Sequence, residues 1–365
     1  MIRLTIPEIG DEEIQAVIKV LQTGFLVQGE HVQDFEGWVA GYIGVDNAVA
    51  VSSGTAALHL ALLAAGIGPG DEVIVPDFTF PATANVVELV GARPVFVDID
   101  LKTFNIATEQ IRLAINSRTR AILPVHLFGL PADMLPILQI SREFGLLVIE
   151  DAACALGAEY QGVKCGNIGL AGCFSFHPRK AITTGEGGMV VTHDAGLAEK
   201  VRQLRNHGMR PSNGVNHFEM AGFNYRMTDF QGALGVAQMK RLEDILAKRS
   251  KLAAAYHLAL EHTPRITLPD SVEGSRHIWQ SYVVLLDSSI SRDEVMRRLR
   301  EEEIETTIGT YAVSIQPHFA GSSPPHPNAC TAYEQSLALP LHSRLSQAEL
   351  TYIVERLNAV LAEMG

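Results

Sequence analysis

Among the residues of this 365-residue chain, Lys180 has the clearest chemical opportunity. It lies in Cys173-Phe174-Ser175-Phe176-His177-Pro178-Arg179-Lys180-Ala181-Ile182-Thr183-Thr184-Gly185-Glu186-Gly187-Gly188, where a short apolar strand stops at Pro178 and another starts after a glycine cluster. A lysine on a tight loop between buried strands loses charge through desolvation and through a neighbouring cation, here Arg179. Its amine can then condense with a carbonyl to form a Schiff base. Ser175 places a hydroxyl on the same loop. A solvated hairpin lysine has the same local pattern, so the distinction lies in what the rest of the chain supplies.

A second feature is Ser52-Ser53-Gly54-Thr55, between the buried strand Asn47-Ala48-Val49-Ala50-Val51 and an apolar helix over 56–65. Free amides at a helix start beside hydroxyls favour a phosphate, and the same groups serve as ordinary helix caps. Downstream, the apolar strands Glu72 to Pro76, Pro94 to Asp98, Arg120 to Val125 and Leu146 to Glu150 alternate with helical patterns such as 134–144. This alternation predicts an α/β fold with a mostly parallel sheet covered on both faces and ligands at the carboxyl ends of its strands. Asp151, His126 and Phe78-Thr79-Phe80 stand at such ends. Each has a structural alternative: Asp151 as a helix cap, His126 as a hydrogen-bonded core residue, Phe80 as core, and His177 as a residue that shapes its loop.

Taken together, these residues match the demands of pyridoxal phosphate (PLP). That cofactor needs an anion cradle, a carboxylate to keep its ring nitrogen protonated, a flat apolar partner and a lysine for its aldehyde. Ser53, Gly54, Thr55 and Ser175, then Asp151, Phe80 and Lys180, supply these in order. Dinucleotide binding is less well served, because no G-x-G-x-x-G follows the first strand, and no cluster with metal-ligand spacing is evident.

The remaining elements must hold these residues. Asp11 is expected to cap a helix carrying Ile14, Val17, Ile18 and Leu21 at helical spacing, and Val32, Phe35, Trp38, Val39 and Tyr42 mark a second. Asp194 precedes a helix over 195–206. Residues 209–223, rich in Gly, Asn and Pro, read as an excursion loop, and a strong helix runs from Asp229 toward Ala247, with continuation into 249–260. From about 248 charge and loop length rise, around a strand over 280–286 and helices over 291–301 and 346–363, which predicts a large domain over 1–247 and a small α+β domain over 248–365. Arg300-Glu301-Glu302-Glu303 reads as a solvated face.

Composition narrows the function class. Hydrophobic residues make up 47% and charged residues 19%, enough for a sizeable core and unlike a disordered chain. A net charge of −12 and a pI near 5.5 argue against a nucleic-acid partner. The four cysteines, Cys154, Cys165, Cys173 and Cys330, show no paired spacing; with no signal-peptide or membrane-span pattern, a soluble cytoplasmic location is expected.

Blocks throughout the chain carry a resemblance. They include Thr23-Gly24-Phe25-Leu26, Ser53 to His59, Gly66-Ile67-Gly68-Pro69-Gly70-Asp71-Glu72-Val73, Asp77-Phe78-Thr79-Phe80 and Pro94-Val95-Phe96-Val97-Asp98. Others are Pro124-Val125-His126-Leu127-Phe128-Gly129, Glu150-Asp151-Ala152-Ala153, the Lys180 loop, Arg205-Asn206-His207-Gly208 and Asn224-Tyr225-Arg226-Met227. In these the chain resembles the DegT/StrS family of PLP-dependent nucleotide-sugar aminotransferases, of fold type I. The resemblance implies Lys180 as Schiff-base lysine and proton shuttle, Asp151 as partner of the ring nitrogen, and Phe80 stacked on the ring. It further implies Gly54, Thr55 and Ser175 on the phosphate, with Asn224 reaching it from the other subunit of a homodimer and Arg226 competing for that contact. Cys154 stands where many relatives have a Gln that touches the cofactor, which leaves that contact weakened or taken by water.

The blocks Thr183 to Met189 and Asn224 to Thr228 are most similar to members that aminate C4 of a 4-keto-6-deoxy nucleotide sugar, with glutamate as donor. The alternatives are a 3-keto sugar or amino-cyclitol substrate, or a non-catalytic PLP-binding regulator. His318, together with His342, Arg210 and Tyr311, is a candidate for substrate contact or for loop packing.

Overall fold

The computed structural model describes residues 1–212 and 214–364. Its centre is a seven-stranded sheet in the order Asn47–Val51, Gly188–Thr192, Ala171–Ser175, Leu147–Asp151, Thr119–Ile122, Glu72–Pro76, Arg93–Val97. Gly188–Thr192 pairs antiparallel with both neighbours, and the five strands from Ala171–Ser175 onward are mutually parallel. Successive residues of one strand enter different cores: Val73 and Val75 pack in one cluster with Leu58 and Ile149, while Ile74 joins Ile122 and Val148 in another. Burial on both faces is why these segments are continuous apolar runs rather than alternating ones. This is the mixed α/β, fold type I arrangement expected from the sequence.

Residues 248 onward contribute a four-stranded antiparallel sheet, Ile266–Thr267, Tyr282–Leu286, Ser336–Leu339 and Thr307–Ile308, with the helices Leu242–Leu260, Arg292–Glu301 and Gln347–Glu363 packed on one core. The helix Leu242–Leu260 spans two cores: Leu242, Ile245 and Leu246 belong to a cluster with Phe35 and Phe176, and Leu252, Tyr256 and Leu260 to a cluster with Tyr282 and Leu357. No helix among the described residues is long and apolar enough to cross a membrane.

Four expectations need correction. The first helix, Asp11–Thr23, is capped not by Asp11 but at Gly10, whose amide donates to the Glu13 carboxylate at 2.8 Å. Its apolar stripe does not enter this chain's core, since Ile14, Ile18 and Leu21 are exposed while Glu13 and Val20 are buried. Residues 209–218 form an exposed hairpin, Met209–Ser212 with Val215–Phe218, where a loop was expected. The helix from Asp229 stops at Met239, and a non-helical Arg241 separates it from the next helix. The Arg241 guanidinium ties the break to Glu8 at 2.5 Å and Glu13 at 3.1 Å.

The remaining correction concerns metal-type clusters. His126, Glu150 and Cys165 do meet, all buried, although their spacing gave no hint of it. The Glu150 carboxylate accepts from the amides of Gly166 (2.7 Å), Ile168 (2.8 Å) and Gly169 (2.7 Å) and from His126 Nε2 (2.9 Å). Burial disfavours charge on the imidazole while Cys165 and Glu150 favour it. Nδ1 decides the matter: it accepts the Ala132 amide at 3.0 Å, so the ring is the neutral Nε2–H tautomer. With its lone pairs engaged, Glu150 acts as a lock on the loop beside the strand that ends in Asp151. Glu150→Ala would strand the buried Gly166 amide and the part-buried amides of Ile168 and Gly169, and we expect a loss of about 3 kcal/mol. Urea unfolding of the variant against the wild type measures it.

Candidate active site

A cavity of about 560 Å³ opens at the carboxyl ends of the parallel strands. It is lined by Ser53, Gly54, Thr55, Phe80, Asp151, Cys154, Ser175 and Lys180, so eight of the residues singled out from the sequence share one wall system. The opposite wall comes from far along the chain: Leu4, Thr5, Gln280, Ser281, Thr307, Ile308, Gly309 and Thr310.

Asp151 is the last residue of its strand and is buried. Its Oδ2 accepts from Thr83 Oγ1 at 2.8 Å and its Oδ1 from the Ala153 amide at 3.2 Å. Burial pushes its pKa above the ordinary aspartate value, and the bonds from Thr83 and Ala153 and the nearby Lys180 charge pull against that. Two donors leave lone pairs free, in contrast to Glu150 one position earlier on the other face of the strand.

Lys180 sits on the loop between Ala171–Ser175 and Gly188–Thr192, its amide held by the His177 carbonyl at 2.8 Å. Nζ donates to Cys154 Sγ at 3.0 Å. Cys154 therefore touches the lysine directly. His177 lines the cavity and shapes the loop, with Nδ1 accepting the Arg179 amide at 3.2 Å, and burial lowers its pKa.

The turn before the helix Gly54–Ala64 packs closely against Ser175. A Cβ on Gly54 would fall 2.7 Å from Ser175 Cβ, and one on Gly188 would fall 2.2 Å from the Ser53 carbonyl oxygen, so both positions require glycine. Ser53 Oγ caps the helix by accepting the Ala56 amide at 3.1 Å, and its carbonyl takes the Ala57 amide. The Gly54 and Thr55 amides are left without an intrahelical carbonyl, beside the Thr55 and Ser175 hydroxyls.

Phe80 is not core: it is 63% exposed at the cavity, with its ring centroid 6.5 Å from that of Tyr311. His126 is structural, as described above. Six candidates, His318, Arg226, Asn224, Arg210, His342 and Tyr311, are not among the residues lining the cavity. His318 pairs with Glu88 at 2.6 Å, Arg226 donates to Asn206 Oδ1 at 2.5 Å, and Asn224 forms a backbone bridge with Asn206. Arg210 pairs with Glu219, and His342 is buried away from the cavity with neither ring nitrogen bonded. Sequence reasoning did not single out Thr83, for which the available signal was a second threonine four residues after Thr79.

The profile of the DegT/DnrJ/EryC1/StrS aminotransferase family matches residues 7–358. The GDP-perosamine synthase of Caulobacter vibrioides is 42% identical over 99% of this chain and 98% of its own length. Among solved structures, DesV of S. venezuelae superposes with a TM-score of 0.90 at 37% identity, covering 95% of this chain and 94% of that one. Spr1654 of Streptococcus pneumoniae in its PLP form gives 0.94 at 27% identity, covering 100% and 99%.

The glycine constraint yields a prediction that is independent of turnover. Gly54→Ala drives its Cβ into Ser175 and displaces the strand that carries it, so the folded fraction of the variant should bind added PLP at least about tenfold more weakly, the equivalent of about 1.4 kcal/mol. A spectroscopic PLP titration of the stripped protein reads the change.

Proposed function

This chain belongs to the DegT/DnrJ/EryC1/StrS aminotransferase family, and we propose that it moves an amino group from glutamate to C4 of a 4-keto-6-deoxy nucleotide sugar. The observation that carries the reading is one cavity holding the Lys180 amine, the Asp151 carboxylate and the glycine-walled cradle at Gly54 and Ser175. The residues fit PLP on their chemistry. A buried carboxylate keeps acceptor capacity, an amine has a single soft hydrogen-bond partner, and two helix-start amides stand beside hydroxyls.

Bound PLP supplies an aldehyde that takes amino groups covalently and a protonated ring that accepts the electrons of a deprotonated carbon. The protein's part is positioning and proton movement. Gly54, Thr55, Ser175 and the capped Ser53 turn would hold the phosphate, Asp151 would pair with the ring nitrogen, and Phe80, exposed at the cavity, would supply the apolar contact for the ring. Lys180 Nζ, oriented by its bond to Cys154 Sγ, would be the group that takes a proton from the reacting carbon and returns it. Leu4, Thr5, Gln280, Ser281 and residues 307–310 form the wall against which the sugar lies, at the junction of the domains 1–247 and 248–365.

Asn224 and Arg226 lie outside this cavity, and a set of apolar side chains, Ile14, Leu21, Phe25 and Val27, is exposed on one segment. A homodimer in which Asn224 enters the partner's site accounts for both.

Glutamate should bleach the visible band of the PLP-loaded protein, and a 4-keto nucleotide sugar should restore it while a 3-keto isomer does not. Lys180→Ala should lack the band and lose about 10²- to 10⁴-fold in rate. A protein that stays colourless with PLP, or a band indifferent to glutamate, would sink the proposal. Shared sites have their own test. Lys180→Ala mixed and re-paired with Asn224→Ala should regain activity, because one site of each mixed dimer is intact; no regain means that each subunit works alone.

A further inference from the structure

Below the ring-facing surface of the cavity, two threonines form a hydrogen-bonded relay that ends on Asp151. Thr79 Oγ1 lies 3.0 Å from Thr83 Oγ1, and Thr83 Oγ1 lies 2.8 Å from Asp151 Oδ2. Both threonines are 1% exposed, so water does not compete for these bonds. The direction of the relay follows from proton count. An ionised carboxylate only accepts, so Thr83 gives its single hydroxyl proton to Asp151, and its oxygen is then left to accept from Thr79.

Each member is fixed by a different element. Thr83 stands in the first turn of the helix Ala82–Leu89. Thr79 belongs to the two-residue strand Phe78–Thr79, paired with Tyr311 and Ala312. That pairing is itself anchored by the buried Asp77 carboxylate, which accepts from the Ser314 amide at 2.6 Å and the Ser314 hydroxyl at 2.7 Å.

We propose that Thr83, oriented by Thr79, is a positioning residue for amino transfer: its hydroxyl fixes the rotamer of Asp151 and turns the remaining lone pairs of that carboxylate toward the cofactor's ring nitrogen. The proposal rests on the PLP reading above. Its energetic side is consistent with the surroundings. Burial disfavours charge on Asp151, and among the influences that oppose burial the Thr83 bond is foremost, ahead of the Ala153 amide and Lys180. Without the hydroxyl, Asp151 gains a proton at higher pH and keeps only the longer Ala153 amide bond to fix its rotamer. A protonated Asp151 cannot hold the ring nitrogen in its charged form.

The test compares PLP-loaded wild type with Thr83→Val, which keeps shape and loses the hydroxyl, Thr83→Ser, which keeps the hydroxyl, and Thr79→Val. The readouts are the rate of glutamate bleaching against pH and the pH titration of the visible band without substrate. Thr83→Val should shift the acidic limb of the bleaching profile and the band's titration to higher pH, by on the order of one unit. Thr79→Val should shift them in the same direction by less, and Thr83→Ser should restore the wild-type profile. Superimposable profiles for wild type and Thr83→Val would overturn the inference, as would a Thr83→Ser profile that follows Thr83→Val, since packing of the methyl group would then be the operative feature. If Thr83→Val does not fold, Thr83→Ala with Thr83→Ser decides by the same comparison. A wild type that forms no visible band with PLP removes the PLP reading and this inference together; a normal wild type with unchanged variants removes only this one.

Discussion

Two consecutive carboxylates, Glu150 and Asp151, leave one strand on opposite faces, and both are buried. An ionised carboxylate taken out of water must recover its lost hydration from fixed donors, or it takes up a proton. The fold answers the two cases differently. Glu150 receives three amides of the 166–169 segment and one imidazole N–H, which saturates it and pins that loop under the sheet. Asp151 receives two donors and stays incompletely satisfied on the cavity side. Stability is concentrated on one side of the strand and chemical capacity on the other.

Backbone proximity is the second constraint. The Lys180 loop connects strands that pack directly against the turn at Ser53 and Gly54, and the contact is so close that neither Gly54 nor Gly188 has room for a Cβ. The helix start at Gly54, the Ser175 hydroxyl and the lysine loop therefore move as one body. A change of side chain at the turn is transmitted to the strand that carries Ser175 rather than absorbed by a flexible neighbour. In the same body Lys180 has a thiol as its partner. Sulfur is a weak acceptor compared with an amide oxygen, so Cys154 orients the amine while holding it less tightly than glutamine would.

The residues that end strands were legible in the sequence because local patterns locate them. Apolar runs mark where Leu147–Asp151 and Ala171–Ser175 stop, and Asp151 and Lys180 follow from those ends. The parallel α/β architecture follows from the same alternation. What stayed hidden depends on separation along the chain. Thr83 meets Asp151 across 68 residues and Cys154 meets Lys180 across 26, and no periodicity encodes either pair. The stripe Ile14, Ile18 and Leu21 has true helical spacing, yet spacing states only that one face is apolar and not what covers it. The break at Arg241 was invisible because arginine is a good helix former; its ion pairs with Glu8 and Glu13 override propensity.

The character of the far wall bears on what the cavity can hold. Its residues come from the N-terminal segment, the Gln280-Ser281 bend and the strands Thr307–Ile308 and Ser336–Leu339, and they mix the hydroxyl and amide residues Thr5, Gln280, Ser281, Thr307 and Thr310 with the apolar Leu4, Ile308 and Leu339, none of them charged. Arg179 lines the near side of the cavity next to Lys180, so a carboxylate would find its countercharge there and an uncharged ring would lie against the far wall. One cavity combines both surfaces around one amine. On the proposed reading one amine would serve both reactants in turn, and the single weak acceptor that holds the Lys180 amine, Cys154 Sγ at 3.0 Å, suits a group that must leave its resting contact and return to it.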